Sequence, residues 1–324
     1  GNLAEGKWNN NVAELVKKYT SAKHASVFNS NGSGLLTALK IFKETHNKKK
    51  VFLQSNTMYG VKTIAYSSGL EISGFVDSSL DNLLMPTIND VKKFVEKLGS
   101  PEENVFLITH IGGWVNPDIK EIAEYCKKQN ILLLEDCAHS YGSLLDGQHT
   151  GLFGDAGVYS FYSTKAVPVG EGGVLVTNDD DIQYRASKFI IYDRFDQKLN
   201  LGVNFRMSEI NALFAYSVIK ESEEIIENKM KIASEYSKIA DKNGWQYQDA
   251  NIDNQRSNLY KFILIAETDN PKEEFSQITK RTSPVYDYAL GDDKSSIASK
   301  HICLPIWYKL EDETIDDVIG ELNR

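Results

Sequence analysis

ILLLEDCAHS at 131–140, SFYSTK at 160–165 and GEGGVLVT at 170–177 form the stretch on which the reading of the fold turns. The first is a run of aliphatic residues that ends in paired acids, Glu135 and Asp136. Lys165 follows, ahead of a turn carrying Gly170, Gly172 and Gly173 and then the apolar run VLVT. Short apolar runs bounded by turn residues read as buried strands. The same reading extends toward the amino terminus. ASVFNS (25–30), VFLQS (51–55), EISGFVD (71–77) and VFLITH (105–110) are strand-like, and AGVYSF (156–161) and VLVTN (174–178) continue the set. Between them VAELVKKY (12–19), NGSGLLTALKIF (31–42), about 59–68, about 88–98 and IKEIAEYCKKQN (119–130) repeat with a helical period. Alternating helices and near-continuously apolar strands predict an α/β fold: a mainly parallel, seven-stranded-type sheet sandwiched by helices.

The stretch 207–244 repeats its apolar residues at three and four, as one long helix or two in series. Beyond it YKFILIA (260–266) reads as a strand and PKEEFSQITKR (271–281) and DETIDDVIGELN (312–323) as helices. The chain is therefore expected to divide into a large domain over 1–206 and a smaller α+β domain over 207–324.

The 324 residues are 41% hydrophobic and 25% charged, an ordinary globular composition. A net charge of -9 argues against nucleic acid, because phosphate binding needs a basic face. The three cysteines, Cys126, Cys137 and Cys303, are odd in number and widely spaced, which fits a reducing compartment better than a disulfide framework. No run approaches the roughly 20 apolar residues that cross a bilayer, and the polar start GNLAEGKWNN does not read as a signal peptide. The expected address is the cytoplasm, with neither membrane nor nucleic acid as a partner.

Ligands of open parallel sheets gather at the carboxyl ends of the strands, where Asn31, His110 and Asp136 fall. An amine at Lys165 and a carboxylate at Asp136 meet the two needs of pyridoxal 5'-phosphate: a partner for its aldehyde and an anion beside its ring nitrogen. Taken alone, Asp136 reads equally as a helix cap or a surface acid, and Lys165 as a solvated lysine. NGSG at 31–34 opens a helix after a strand, so its free amides form an anion seat suited to a phosphate. A dinucleotide fold competes for the same glycines, but Thr37 occupies its third glycine position, and the next strand ends in Gln54 and Ser55 where a ribose-binding acid belongs. Glu135, Asp136 and His139 lack the further ligands of a metal site, so none is expected.

In order along the chain, residues 5–39, 105–143, 160–179, 202–212 and 301–313 resemble the fold type I pyridoxal phosphate enzymes, and among them the DegT/StrS sugar aminotransferase family. The resemblance implies Lys165 as the Schiff-base lysine, Asp136 as partner of the pyridinium nitrogen and His139 near the cofactor's phenolic oxygen. Gly32, Ser33 and Ser160 would hold the phosphate, and Asn204 would reach the phosphate of a neighbouring subunit across a homodimer. The reaction implied is amino transfer, with glutamate as donor, to a keto sugar, in nucleotide-linked form, by ping-pong kinetics. A sugar dehydratase is the nearest alternative, although such relatives place His where Lys165 stands; a noncatalytic interaction protein is the other. Two departures from the family pattern stand out. In QSNTMYGVKTIA (54–65), Gln54 replaces Pro and Met58 replaces the aromatic that covers the cofactor ring, leaving Met58 or Tyr59 for that task. The region after Lys220 is short, and YDYALGDDKSS (286–296) compresses a loop expected to close over substrate.

Overall fold

The computed structural model describes residues 3–79, 82–199, 201–248, 254–265, 275–279, 282 and 301–323; the compressed loop expected at 286–296 lies outside them. In chain order the strands are β1 (His24–Phe28), β2 (Lys50–Gln54), β3 (Glu71–Val76), β4 (Asn104–Thr109), β5 (Leu132–Cys137), β6 (Leu144–Leu145), β7 (Gln148–His149), β8 (Ala156–Ser160) and β9 (Gly173–Thr177). They are followed by β10 (Gln246–Tyr247), β11 (Gln255–Arg256), β12 (Phe262–Ile265) and β13 (His301–Leu304). The helices are α1 (Lys7–Thr20), α2 (Asn31–Thr45), α3 (Tyr59–Ser68), α4 (Ile88–Val95), α5 (Ile119–Lys128), α6 (Asp180–Phe189), α7 (Glu209–Ile219), α8 (Ser222–Asn243), α9 (Ser276–Thr279) and α10 (Asp312–Leu322).

The main sheet has seven strands in the order β1-β9-β8-β5-β4-β2-β3, in keeping with the expected architecture. Successive residues of a strand face opposite sides, and β4 feeds both layers of helices in this way. Val105 and Leu107 pack with Leu35 and Leu39 of α2 and Val61 of α3, while Phe106 and Ile108 pack with Val91 of α4 and Ile119 and Ile122 of α5. Both faces are thus covered, which is why the run is apolar throughout and every residue of β4 is buried. At the other end of the sheet, α1 and α7 cover Val27, Val174 and Val176.

One strand departs from the parallel set. β9 is antiparallel to both neighbours, β8 and β1. The twelve residues between β8 and β9 contain no helix, and a connection of that kind returns the chain beside itself in the opposite direction. The return loop holds Lys165.

The long helical pattern proves to be two helices, α7 and α8, broken at Lys220–Glu221. α7 packs on α1 beneath the large sheet, whereas Ile232, Ala233 and Tyr236 of α8 pack with Phe262, Leu264, Ile302 and Leu304 in the core of the smaller C-terminal region. There the antiparallel sheet β10-β12-β13 is covered by α8, α9 and α10. Within the stretch read as a helix at 271–281, the described part is helical over Ser276–Thr279.

Candidate active site

Three elements converge at the carboxyl end of the sheet. β5 delivers Asp136, the start of α2 lies across from it, and the β8–β9 loop folds over both. They enclose a cavity of about 380 Å³ lined by Asn31, Gly32, Met58, Asp136, His139, Ser160 and Lys165, among others.

The alternation along β5 separates the paired acids. Glu135 turns away from the cavity, where it accepts backbone N–H groups from Gly151, Phe153 and Gly154 and bonds His110 Nε2 at 2.8 Å. With His110 fully buried and Cys137 beside it, this is a cluster of metal-ligand types, but the carboxylate is already occupied by four partners and serves to pin the 151–154 turn. His110, expected near a ligand, belongs to this interior network: its Nδ1 accepts from Asn116 N at 3.1 Å.

Asp136 faces the other way and is 2% exposed. Its Oδ1 accepts from Asn31 Nδ2 and from Ala138 N, both at 3.1 Å. Its Oδ2 takes no hydrogen bond from the described residues. Burial raises the pKa of this carboxyl, against the opposing pull of the Ala138 amide, Lys165, Asn31 and His110. A buried carboxylate with one bare oxygen calls for a cationic N–H, which a protonated pyridine supplies.

Lys165 follows a tight turn in which its own N–H donates to Tyr162 O at 2.9 Å. Its Nζ lies 4.8 Å from the centre of the Tyr260 ring. Burial lowers its pKa to about 8, with Lys261 adding to the effect and Asp136 opposing it. The Tyr260 ring also stacks on His139, with centroids 4.2 Å apart. Burial, then Lys165 and Lys261, hold the His139 imidazole well below its usual pKa, so it is neutral.

The seat at the start of α2 differs in detail from its expected form. Ser30 caps the helix by accepting from Ser33 N at 3.2 Å, and the Ser33 hydroxyl donates to Asn29 Oδ1 at 2.5 Å. Ser33 is therefore engaged within the helix start and does not line the cavity; Ser30, Asn31 and Gly32 do. The amides of Asn31 and Gly32 take no acceptor among the described residues, which leaves them for an anion. The helix can come this close because residue 34 is glycine: a Cβ there would stand 2.6 Å from Val158 Cγ1 on β8. Ser160 lines the cavity, and its Oγ accepts from Tyr162 N at 3.4 Å. Of the two residues expected to cover a ring, Met58 lines the cavity, while Tyr59 is 57% exposed outside it. Asn204 is exposed and lies outside the lining, with Oδ1 accepting from Arg206 N at 3.4 Å.

Among the lining residues not singled out from sequence are Thr109 and Thr164. Thr109 could have been read from its place at the end of β4. Tyr260, which bridges His139 and Lys165, carried no local signal, since it sits in a strand entry of the C-terminal region.

Residues 1–323 match the DegT/DnrJ/EryC1/StrS aminotransferase family. The GDP-perosamine synthase of Escherichia coli O157:H7 is 29% identical over 184 residues, 55% of this chain and 48% of that protein. A UDP-4-amino-4,6-dideoxy-N-acetyl-beta-L-altrosamine transaminase of Campylobacter jejuni is 28% identical over 284 residues, 84% of this chain and 73% of that one. The chain thus spans about half the length of the first relative and nearly three quarters of the second. Among solved structures, Helicobacter pylori PseC, an aminotransferase involved in pseudoaminic acid biosynthesis, aligns with a TM-score of 0.85 at 21% identity, covering 99% of this chain and 92% of that one. The aminotransferase TlmJ from Streptoalloteichus hindustanus aligns with a TM-score of 0.86 at 21% identity, over 99% and 91%. These two carry the fold, and the match over nearly the whole length carries the lineage: the chain belongs to the DegT/DnrJ/EryC1/StrS aminotransferase family.

Proposed function

We propose that this chain is a pyridoxal phosphate-dependent aminotransferase that moves an amino group from glutamate to a nucleotide-linked keto sugar by a ping-pong route. Aminotransferases of this family and fold depend on that cofactor. The observation that carries the reading is the meeting, in one cavity, of the Lys165 amine, the bare oxygen of Asp136 and the unpaired amides of Asn31 and Gly32. The Escherichia coli and Campylobacter jejuni relatives act on nucleotide-linked sugars by their names, which supports the acceptor class.

In this reading Lys165 takes the cofactor aldehyde and Asp136 the ring nitrogen. Gly32 and Asn31, with Ser160, receive the phosphate; the Ser33 amide is taken by Ser30, so its part is to cap the helix that presents the seat. Met58 would offer its thioether to the ring, and neutral His139 would stand by the phenolic oxygen. When bound, the cofactor supplies the electron sink that stabilises a carbanion at the amine-bearing carbon. Asp136 keeps the ring nitrogen protonated, and its burial makes that pairing stronger than it is in water. As a free amine, Lys165 would hold and return the proton of the substrate carbon that bears the amine. A pKa of about 8 leaves it a substantial neutral fraction for that task.

Asn204, exposed and outside the cavity, contributes from a second copy. Ile210 (69%), Leu213 (43%) and Phe214 (55%) on α7 form an exposed apolar face nearby, which a homodimer would cover. The division into a cofactor-binding part over 1–206 and a smaller part over 207–324 belongs to the same reading, with the packing boundary displaced to the α7–α8 break because Ala212, Ala215 and Ile219 of α7 pack on the large sheet. So does a cytoplasmic address, which the buried free cysteines support. No described helix is long and apolar enough to cross a membrane.

The test is direct. Cofactor-loaded protein should be yellow and should bleach on adding glutamate. Borohydride reduction before peptide mass analysis should leave the cofactor mass on the peptide bearing Lys165. Lys165→Ala should lose turnover, and a label on any other lysine would overturn the assignment.

A further inference from the structure

A second cavity, of about 540 Å³, opens on the other side of Lys165 and shares Tyr162 and Thr164 with the first. The smaller C-terminal region supplies most of its wall, including Lys229, Tyr260, Lys261, Pro305 and Trp307. No acid lines it among the described residues. Three lysines therefore share one cavity in a chain whose net charge is -9.

Lys229 is the unusual member. It is 2% exposed on α8, and neither a carboxylate nor any other acceptor among the described residues reaches its Nζ, yet the residue lines the cavity. A buried ammonium without a partner is costly, and folded proteins pair such groups or fill them with a ligand. Lys261 stands beside it: its Nζ bonds Thr282 Oγ1 at 3.1 Å and lies 5.3 Å from the centre of the Tyr260 ring. Lys165 Nζ lies 4.8 Å from the same centre, so the two ammonium groups are at most about 10 Å apart.

We propose that Lys229 and Lys261 bind the remote carboxylate of a dicarboxylic amino donor and so select glutamate over donors with neutral side chains. The proposal rests on Lys165 being the amine-exchanging residue. A donor the length of glutamate spans roughly 5 Å from its amine to its remote carboxylate, and a charge-assisted hydrogen bond adds about 2.8 Å. The sum, about 8 Å, falls below the upper bound on the separation of Lys165 and Lys261. The burial of Lys229 favours a terminal anion over the diphosphate of a nucleotide sugar. A carboxylate ends its molecule and fits a closed pocket, whereas a diphosphate has a substituent on each side and needs an open passage.

The experiment is calorimetric titration of the parent, Lys229→Met and Lys261→Met with 2-oxoglutarate, pyruvate and UDP. 2-Oxoglutarate carries the remote carboxylate, pyruvate lacks it, and UDP reports the nucleotide end. Each variant should weaken 2-oxoglutarate by about tenfold or more, with pyruvate and UDP unchanged. An equal loss for pyruvate would assign the lysines a structural role, and a loss confined to UDP would make them the diphosphate seat. Either result, or no change for 2-oxoglutarate, overturns the proposal. The yellow colour and its bleaching by glutamate are read in parallel. A colourless protein that still binds 2-oxoglutarate through these lysines would refute the proposed reaction while leaving the carboxylate seat standing.

Discussion

Replacing Lys229 by Met should stabilise the protein while impairing it. Burial, reinforced by Lys261, lowers the Lys229 pKa from 10.5 to about 7. In the unfolded chain the group keeps its ordinary pKa, so at pH 7 folding must drive off part of a proton that the unfolded chain holds. A shift of that size corresponds to about 4 kcal/mol at neutral pH. Some of it relaxes through local adjustment, and Met retains the apolar stem; a gain of about 2–4 kcal/mol is expected, or roughly 3–6 °C in Tm for a chain of this length. The sign of the pH dependence is set by the depressed value. Below about pH 7 both states are protonated and the full penalty is present. As pH rises from about 7 toward 10.5 the folded state no longer bears it, so the advantage of the variant shrinks and vanishes near 10.5. Denaturant melts of the two proteins across this range measure the difference directly. Added 2-oxoglutarate should narrow the gap at pH 7, because by the proposal it binds the parent more tightly than the variant. A variant that is less stable at pH 7, or a gain that does not change with pH, would refute the view of Lys229 as an unpaired buried cation.

Loading of cofactor-free protein should accelerate as pH rises through about 8, the region in which the Lys165 amine loses its proton. At pH 7 about one tenth of it is neutral, against about 0.03% for an ordinary lysine; stopped-flow absorbance that accelerates only above pH 10 would contradict the buried environment. Phe214→Asp should convert the proposed homodimer to monomer in sedimentation and weaken cofactor retention with it, since in that reading the dimer supplies Asn204; a monomeric variant with unchanged cofactor affinity would remove Asn204 from the site.

The alternation of strand and helix, the apolar runs and the placement of Asp136 and Lys165 at element ends were all legible along the chain. Each is a local pattern set by backbone period and by the need to bury both faces of a sheet. The choice between Glu135 and Asp136 was less so. Their neighbours in sequence are shared, and only the direction in which β5 enters the sheet sends Asp136 to the start of α2 and Glu135 to His110. Likewise the NGSG run announced an anion seat, but it was the Ser30 cap that withdrew Ser33 from it.

Sequence by itself determined the layered architecture, the lysine–aspartate pair and the family, because these depend on residues close together or on motifs held in order. Tertiary structure alone decided the direction of β9, the place of Met58 in the cavity lining and the cationic cavity. Lys229 did leave a trace, since it falls on the stripe of Ile225, Ile232, Ala233 and Tyr236 along α8. A lysine on such a stripe most often reaches out to solvent. What buries this one is the return of β12 and β13 against the helix, which gathers positions 165, 229 and 261 in the lining of one cavity. Burial and charge environment are properties of that assembly, and no window of sequence contains all three lysines.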